Sequence, residues 1–470
     1  MKIFYSFLFL IFSLSAFSQS KTYKVAIIHT NDEHAKIDIF PKLAAYINES
    51  KKLYDTVFVV SSGDHFSGNP IVDQYEFRGF PIIDLMNKCG YSVSAIGNHE
   101  FDYGQENLNK LASEAKFKFV NFNMNCENSV FKNFNTKTEI TLPNNFKILL
   151  TSILGIEKDG RPETHPSRVE GIEFLDEKKS LTNFIKTEKT NQFFILLSHL
   201  GIEKDTAFAR KIDGIDIILG GHSHSIVHPL KQYNKTQMAQ AGADLKFFGE
   251  MVLEFEGEKL IKIHDELIKT DTLTKIDSEV QKIVDNYNNN EFLQATIGTF
   301  ADSISGNDEL GSLMCDALTN QLKCDFAFQN PGGIRISKLE KGNVSRKNIY
   351  TLDPFGNNLL VFEMTAKQIR AFIQFAYEKK ENELLQVSGM TYNVVIDTEQ
   401  KFKDVVLQDI KPQKTYTVVV NSYLAKKYQI SYKRKILETT DKAVELLQKY
   451  IETHPNLNYH RVKRCDVVVE

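Results

Sequence analysis

The sequence predicts an α/β protein whose helices cover both faces of its sheet, followed by a second α/β unit. Three observations carry this. Five short apolar runs in the first half are rich in Val, Ile and Phe, as buried strands require: VAIIHTNDEH (25–34), VFVVSSGDH (57–65), SVSAIGNHEFD (92–102), FFILLSH (193–199) and IDIILGGHSH (215–224). Helix-compatible stretches alternate with them, which is the pattern of layered α/β architecture. Each run also passes straight into Asp, Asn or His. Residues just beyond strand ends share one crevice in such folds.

Taken in order, residues 1–18 read as a secretory signal peptide. Lys2 precedes an apolar stretch with interspersed Ser, and Ala16-Phe17-Ser18 offers small residues for cleavage. The run falls short of the roughly 20 apolar residues of a membrane span, and no second such stretch follows. The expected location is therefore exported, in the periplasm or cell envelope, with no stable membrane span. The first domain is expected at 19–270, with helices at 41–52, 81–88 and 105–115 between the strands. Residues 251–263 read as two antiparallel strands joined by a tight turn, at the edge of the sheet. The polar stretch 272–293 reads as a helix within a connecting segment, 271–296, ended by the Asn run at 288–290. A second domain, 297–470, is expected to mix helices (310–322, 366–380, 440–453) with strands (392–396, 415–420).

Bulk properties narrow the partners. Of 470 residues, 42% are hydrophobic and 25% charged, as in an ordinary globular protein, and the formal charge is −3. That charge gives no electrostatic argument for a nucleic acid polymer or an anionic membrane as partner, and none is expected, so attraction for a phosphate must be local. The five cysteines, Cys89, Cys126, Cys315, Cys324 and Cys465, show no CxxC spacing and are read as buried or free thiols.

The chemistry-bearing residues at the strand ends are Asp32, His34, Asp64, Asn98, His199, His222 and His224. Mixed oxygen and imidazole donors suit two divalent metal ions of the Zn, Mn, Fe or Co type. Two neighbouring cations need a bridging ligand, and the carboxylate of Asp64 is the candidate. His29, His65 and His228 lie close in sequence and are read as supporting or structural residues.

Asp-x-His at 32–34, Gly63-Asp64, Gly97-Asn98-His99-Glu100 and Gly-His-x-His at 221–224 together resemble the calcineurin-like metallophosphoesterase superfamily. Within it, HTNDEHA, SSGDHFSG, AIGNHEFDYG, SHLG and GGHSH resemble the secreted 5′-nucleotidase family, which includes UDP-sugar hydrolases and cyclic-nucleotide phosphodiesterases. The resemblance implies a four-layer α/β sandwich in the first domain and a nucleotidase-type substrate domain in the second. It implies one metal held by Asp32, His34 and His224 and another by Asn98, His199 and His222, with Asp64 shared. It also places His99 over the phosphate to help protonate the leaving group, oriented by Asp102. Relatives vary at the position of His224, some carrying Gln or Asn.

In the second domain, Asn330-Pro-Gly-Gly-Ile-Arg335 and Pro354-Phe355-Gly-Asn357 resemble the family's substrate motifs. They imply substrate contacts by Asn330, Arg335 and Asn357, with Phe355 as one half of an aromatic clamp and Tyr423 as the other. Two family features are missing. Residues 300–313 contain no Arg or Lys, and Tyr423 is not followed by the Asp that grips ribose hydroxyls. The expected function is hydrolysis of phosphate esters by a two-metal enzyme, with a small phosphorylated substrate, best a nucleoside monophosphate. The alternatives are a broader phosphatase or UDP-sugar/cyclic-nucleotide hydrolase, and a non-catalytic binding protein that keeps the fold.

Overall fold

The structure is a computed structural model that describes residues 22–379, 382–408 and 410–470. The expected signal peptide, and Lys380 at the end of one expected helix, lie outside these residues.

In the first unit, two six-stranded sheets lie face to face. One runs, edge to edge, Lys259–Lys269, Phe247–Glu256, Thr22–Thr30, Thr56–Ser61, Tyr91–Ala95 and Lys118–Val120. The other runs Ile226–Tyr233, Thr236–Ala241, Ile217–Leu219, Phe193–His199, Lys147–Leu154 and Thr138–Thr141. Strand alternation explains the layering. Val25, Ile27, Val60, Val93, Ile195, Leu197, Ile217 and Leu219 point between the sheets and form one core. Ile28 and Val59 point outward to helices Phe40–Leu53 and Phe80–Cys89. On the far side, Leu196 and Ile218 meet Leu181 and Phe184 of helix Glu177–Glu188. The result is helix, sheet, sheet, helix: the four layers expected. The strands carrying Val25, Val57 and Val93 pair in parallel, as do those carrying Ile148, Ile195 and Ile217, so their C-terminal ends gather on one side.

The hairpin at the sheet edge forms as expected, Phe247–Glu256 pairing antiparallel with Lys259–Lys269 around Gly257. The polar stretch after it is not one helix. Asp277 caps helix Ser278–Asn288, and Asn290 caps a separate short helix, Glu291–Gln294. Val280 and Val284 bury against the first unit's helical layer rather than standing free between units.

The second unit centres on a five-stranded sheet ordered Gln386–Ser388, Phe326–Gln329, Thr415–Asn421, Asn358–Thr365 and Arg434–Lys442. Helix Ala366–Lys379 packs on one face through Ile369, Phe372 and Ile373. Helices Gly306–Leu322 and Ala443–Thr453 pack on the other through Cys315, Leu318 and Leu446. The helix expected from residue 440 begins at Ala443. Residues 440–442 complete an edge strand, because Lys442 pairs with Asn358. Among the described residues no helix is long and apolar enough to cross a membrane.

Candidate active site

All seven expected ligands stand at the C-terminal ends of these parallel strands, six of them in the loops that follow. Asp32 and His34 follow Thr22–Thr30, Asp64 follows Thr56–Ser61, and Asn98 follows Tyr91–Ala95. His199 ends its own strand, and His222 and His224 follow Ile217–Leu219. The loops bring them into two groups: Asp32 with His34 and His224, and Asp64 with His199 and His222. Within each group the donor atoms lie within 4.8 Å of one another. Asn98 joins the second, its Oδ1 lying 3.0 Å from His222 Nδ1 and 3.2 Å from His199 Nε2.

Holding side chains this way distorts the backbone. Asp32 (φ 51°), His34 (43°), Asp64 (62°), His222 (70°) and His224 (54°) all occupy the left-handed region. Side-chain-bearing residues enter that region at roughly 1–3 kcal/mol each, and surrounding bonds must hold them there. Those bonds are present. Asp32 N donates to Gly63 O (2.9 Å) and His34 N to Asp64 O (3.1 Å). His222 N donates to both carboxylate oxygens of Asp32, at 3.1 and 3.0 Å. Gly97 is required for space, since a Cβ there would lie 2.2 Å from Asp64 Oδ1.

Metal ions fit this donor set. His199 Nδ1 faces the Ser62 carbonyl at 2.8 Å and His34 Nδ1 faces the Ser67 carbonyl at 3.2 Å. Donation there turns each Nε2 toward the site, where it would serve as the ligand nitrogen of a bound ion. His34 Nε2 and His224 Nε2 then lie 3.1 Å apart, close to the roughly 3.3 Å separating two nitrogens on one tetrahedral ion. Burial and neighbouring His99 lower His34 to about 3, and burial and His199 lower His222 to about 4, so both rings are neutral. Burial opposes ionisation of Asp64, but His199 and His99 overcome it and keep it a carboxylate. Asp32 is pushed up to about 7 by burial. His199 rises to about 10 because Asp64 outweighs its burial. These two groups carry protons that a bound cation would displace.

Beside the groups, His99 Nδ1 faces Asp102 Oδ2 at 2.6 Å. Burial would lower His99, yet Asp102 and Asp64 lift it to about 9. Asp102, despite burial, is held down to about 2 by His99 and Arg168. The pair is thus an imidazolium and a carboxylate.

A cavity of about 230 Å³ opens in front of this centre. Asp64, Asn98, His99, Asp102, His222 and His224 line one wall; Asn330, Arg335, Phe355, Asn357 and Tyr423 line the other. The Arg335 guanidinium lies over the Phe355 ring, 5.6 Å from its centroid, and is close enough to lower His34, His99 and His224. Asn357 Oδ1 accepts from Ser422 Oγ at 3.0 Å, and Asn330 Oδ1 from Asn421 Nδ2 at 3.4 Å. Burial, reinforced by Glu163 and Glu157, raises the Tyr423 phenol, which stays protonated.

His29, His65 and His228 stay outside both groups. His65 is buried between Glu33 (2.8 Å) and Ser94 (2.5 Å), while His29 and His228 both face Asp265 at 3.3 Å. All five cysteines are free thiols.

Several supporting residues escaped the sequence reading. Glu100 accepts from the backbone N–H groups of Asp64 (2.9 Å), His65 (2.7 Å) and Gly97 (2.5 Å), tying two ligand loops together. Glu33 binds Ser61 Oγ at 2.8 Å as well as His65. Both lie inside the quoted motifs, so a buried-carboxylate reading was available for each. Arg168, which donates to Asp102 Oδ1 at 2.7 Å, carried no signal at all.

Paired candidate ligand groups, a His–Asp pair and a cavity, set on a four-layer α/β frame, have the make-up of a metal-dependent phosphoesterase site. Comparison with known proteins gives the family. Residues 25–225 match the calcineurin-like phosphoesterase family and residues 292–430 match the 5′-nucleotidase C-terminal domain. The chain thus carries a calcineurin-like phosphoesterase domain followed by a 5′-nucleotidase C-terminal domain. It is 25% identical to the 5′-nucleotidase of Rattus norvegicus over 488 residues, covering 86% of this chain and 83% of that protein. It is 26% identical over 465 residues to the trifunctional nucleotide phosphoesterase protein of Bacillus subtilis (strain 168). That match covers 85% of this chain but only 32% of the relative, so the chain spans about a third of that protein's length. Among solved structures, the 5′-nucleotidase precursor of Thermus thermophilus shares the fold with a TM-score of 0.80 at 22% identity, covering 95% of this chain and 99% of that one. A sulfate thiohydrolase of the same organism shares it too, with a TM-score of 0.75 at 16% identity, covering 94% and 96%. The frame alone does not select a substrate.

Proposed function

We propose that the chain is an exported two-metal hydrolase of phosphate monoesters that converts nucleoside monophosphates to nucleoside and phosphate. One observation carries this reading. The cavity places both ligand groups and the His99–Asp102 pair opposite a guanidinium and two aromatic rings. Asp32, His34 and His224 would hold one ion and Asn98, His199 and His222 the other, with Asp64 the candidate to serve both. Mixed nitrogen and oxygen donors would suit Zn, Mn, Fe or Co. A bound metal pair supplies an activated water and a clamp on the phosphoryl oxygens. Arg335 faces the phosphate and narrows where it can sit. His99, protonated and anchored through Nδ1 by Asp102, presents its other N–H to the leaving oxygen and protonates it as the ester bond breaks. Phe355 and Tyr423 receive the flat part of the leaving group, since any base has a face to stack.

The sugar is held less firmly. After Tyr423 the helix continues to Lys426 and Lys427, with no carboxylate. Outside the reaction centre, Glu163 of the first unit supplies the cavity's carboxylate among the described lining residues. This favours poor discrimination between ribo- and deoxyribonucleotides, and keeps a broader phosphatase or a UDP-sugar/cyclic-nucleotide hydrolase as the second reading. The test is a panel of nucleotides, sugar phosphates and UDP-sugars on metal-loaded protein, compared by specificity constant. Preference for nucleoside monophosphates that fades in Tyr423→Ala and Arg335→Ala supports the nucleotidase. A preference for sugar phosphates that neither change affects supports the broader enzyme. No bound metal and no turnover with added Mn, Co or Zn would leave a non-catalytic binding protein.

A further inference from the structure

Residues 155–169 of the first unit form an irregular segment, with only the short turn Pro166–Arg168 in regular structure. Four contacts made by this segment fall into two pairs. Two reach inward to the reaction centre: the Glu163 carbonyl accepts from Asn98 Nδ2 at 3.2 Å, and Arg168 Nη1 donates to Asp102 Oδ1 at 2.7 Å. Two reach outward to the second unit: Arg168 Nη2 donates to the Phe355 carbonyl at 3.2 Å, and Lys427 Nζ donates to Asp159 Oδ2 at 3.3 Å, with Glu157 3.8 Å away. The Lys427 side chain is only 3% exposed. It shares the helix Ser422–Lys427 with Tyr423. The outward contacts thus fall on the two segments that carry the cavity's aromatic rings, and the inward ones on a metal-ligand candidate and on the partner of His99.

A guanidinium is a rigid fork, so two acceptors bonded to its two ends are fixed relative to each other. Arg168 therefore fixes the Phe355 loop relative to the Asp102 carboxylate. Held only by Ser67 and His99, Asp102 would have no such link to the second unit.

The geometry points to a clasp: segment 157–168, with Arg168 as its positioning residue, registers both aromatic segments against the His99–Asp102 pair. Seating a flat leaving group between the rings then sets the angle at which His99 meets the leaving oxygen. This rests on the nucleotidase reading and adds what that reading lacks, a route by which leaving-group binding raises turnover rather than affinity alone.

The experiment measures kcat and KM on metal-loaded protein with adenosine monophosphate and with glycerol 2-phosphate, which has no ring to seat. Metal content and thermal midpoint are checked for each variant. Arg168→Met is expected to lower kcat on the nucleotide about 100-fold, within the range a disoriented general acid costs. KM should stay within about threefold, and the loss on glycerol 2-phosphate should be about tenfold smaller, since only orientation gained from the ring is removed. Arg168→Lys, which can reach one acceptor but not both, should recover part of the loss. Lys427→Met touches no reaction-centre residue. It should lower nucleotide kcat about fivefold and leave glycerol 2-phosphate turnover unchanged. Equal losses on both substrates in Arg168→Met, or a change in KM alone in Lys427→Met, would overturn the clasp while the nucleotidase stands. A wild-type protein that hydrolyses glycerol 2-phosphate but not the nucleotide would overturn both, and shows itself before any variant is made.

Discussion

The wall of the cavity supplied by the first unit and the wall supplied by the second hold their side chains in different ways. On the first, five of seven ligand candidates sit in left-handed backbone held by bonds from several loops; Asp32, His34 and Asp64 are buried, His222 is half-buried and His224 is exposed. On the second, none of Asn330, Arg335, Phe355, Asn357 and Tyr423 is among the positive-φ residues, and Asn357 and Tyr423 are only partly buried. Strain of this kind persists only where the surroundings over-determine it. The first wall is therefore intolerant of change, and its residue types are dictated by what binds a cation. The second uses shape, stacking and one guanidinium, which neighbouring residues can supply in several ways. On the proposed function, the chemistry sits on the rigid side and the choice of substrate on the adaptable side.

The largest effect should come from striking the first wall. Asp64→Asn is expected to abolish turnover and lose both ions by metal analysis; retention of two ions would break the assignment of Asp64 as shared ligand. His99→Ala should keep its metals and lose roughly 10²–10⁴-fold in kcat, and an emptied metal site would show that the roles on this wall are misassigned. On the second wall, Arg335→Met should lower kcat/KM by about 10- to 100-fold, the equivalent of a charged hydrogen bond, with metal content unchanged. A loss as large as that of His99→Ala would erase the distinction between the walls.

The smallest effect concerns stability. Asp353, beside the Phe355 loop, is raised to about 6 by burial, with only the Phe355 N–H, at 3.4 Å, to offset it. A carboxyl raised on folding favours the native state below its unfolded pKa, and that advantage is lost as pH rises through the folded value. Above pH 6 the ionised group opposes folding, so Asp353→Asn should stabilise by about 1–3 kcal/mol at pH 8. The gain should vanish below pH 4, as read by denaturant melts at the two pH values. A gain independent of pH would contradict the burial argument.

How legible each part was in the sequence follows from the same contrast. The clustering of Asp32, His34, Asp64, Asn98, His199, His222 and His224 was legible because few residue types suit a cation and each stands at a strand end. The layered fold was legible from the alternating runs. The start of the last helix was not, because Lys442 is drawn into an edge strand by its partner Asn358, eighty-four positions away. Arg168 was invisible for the same kind of reason. Both groups it grips, Asp102 and the Phe355 carbonyl, are reached only through tertiary structure. Nothing in the polar loop around it departs from a solvated surface segment.

Both ligand groups draw one histidine from a single loop, the one after Ile217–Leu219: His224 for the first and His222 for the second. Neither group closes until that strand has docked in the second sheet beside Phe193–His199. In a chain that emerges from its N-terminus, contacts between residues this far apart form late. A nascent chain shorter than about two hundred and twenty residues thus carries several loose ligands but no closed pocket for an ion. Ion binding by these groups would therefore report that the strand before the last ligand loop has docked in the second sheet.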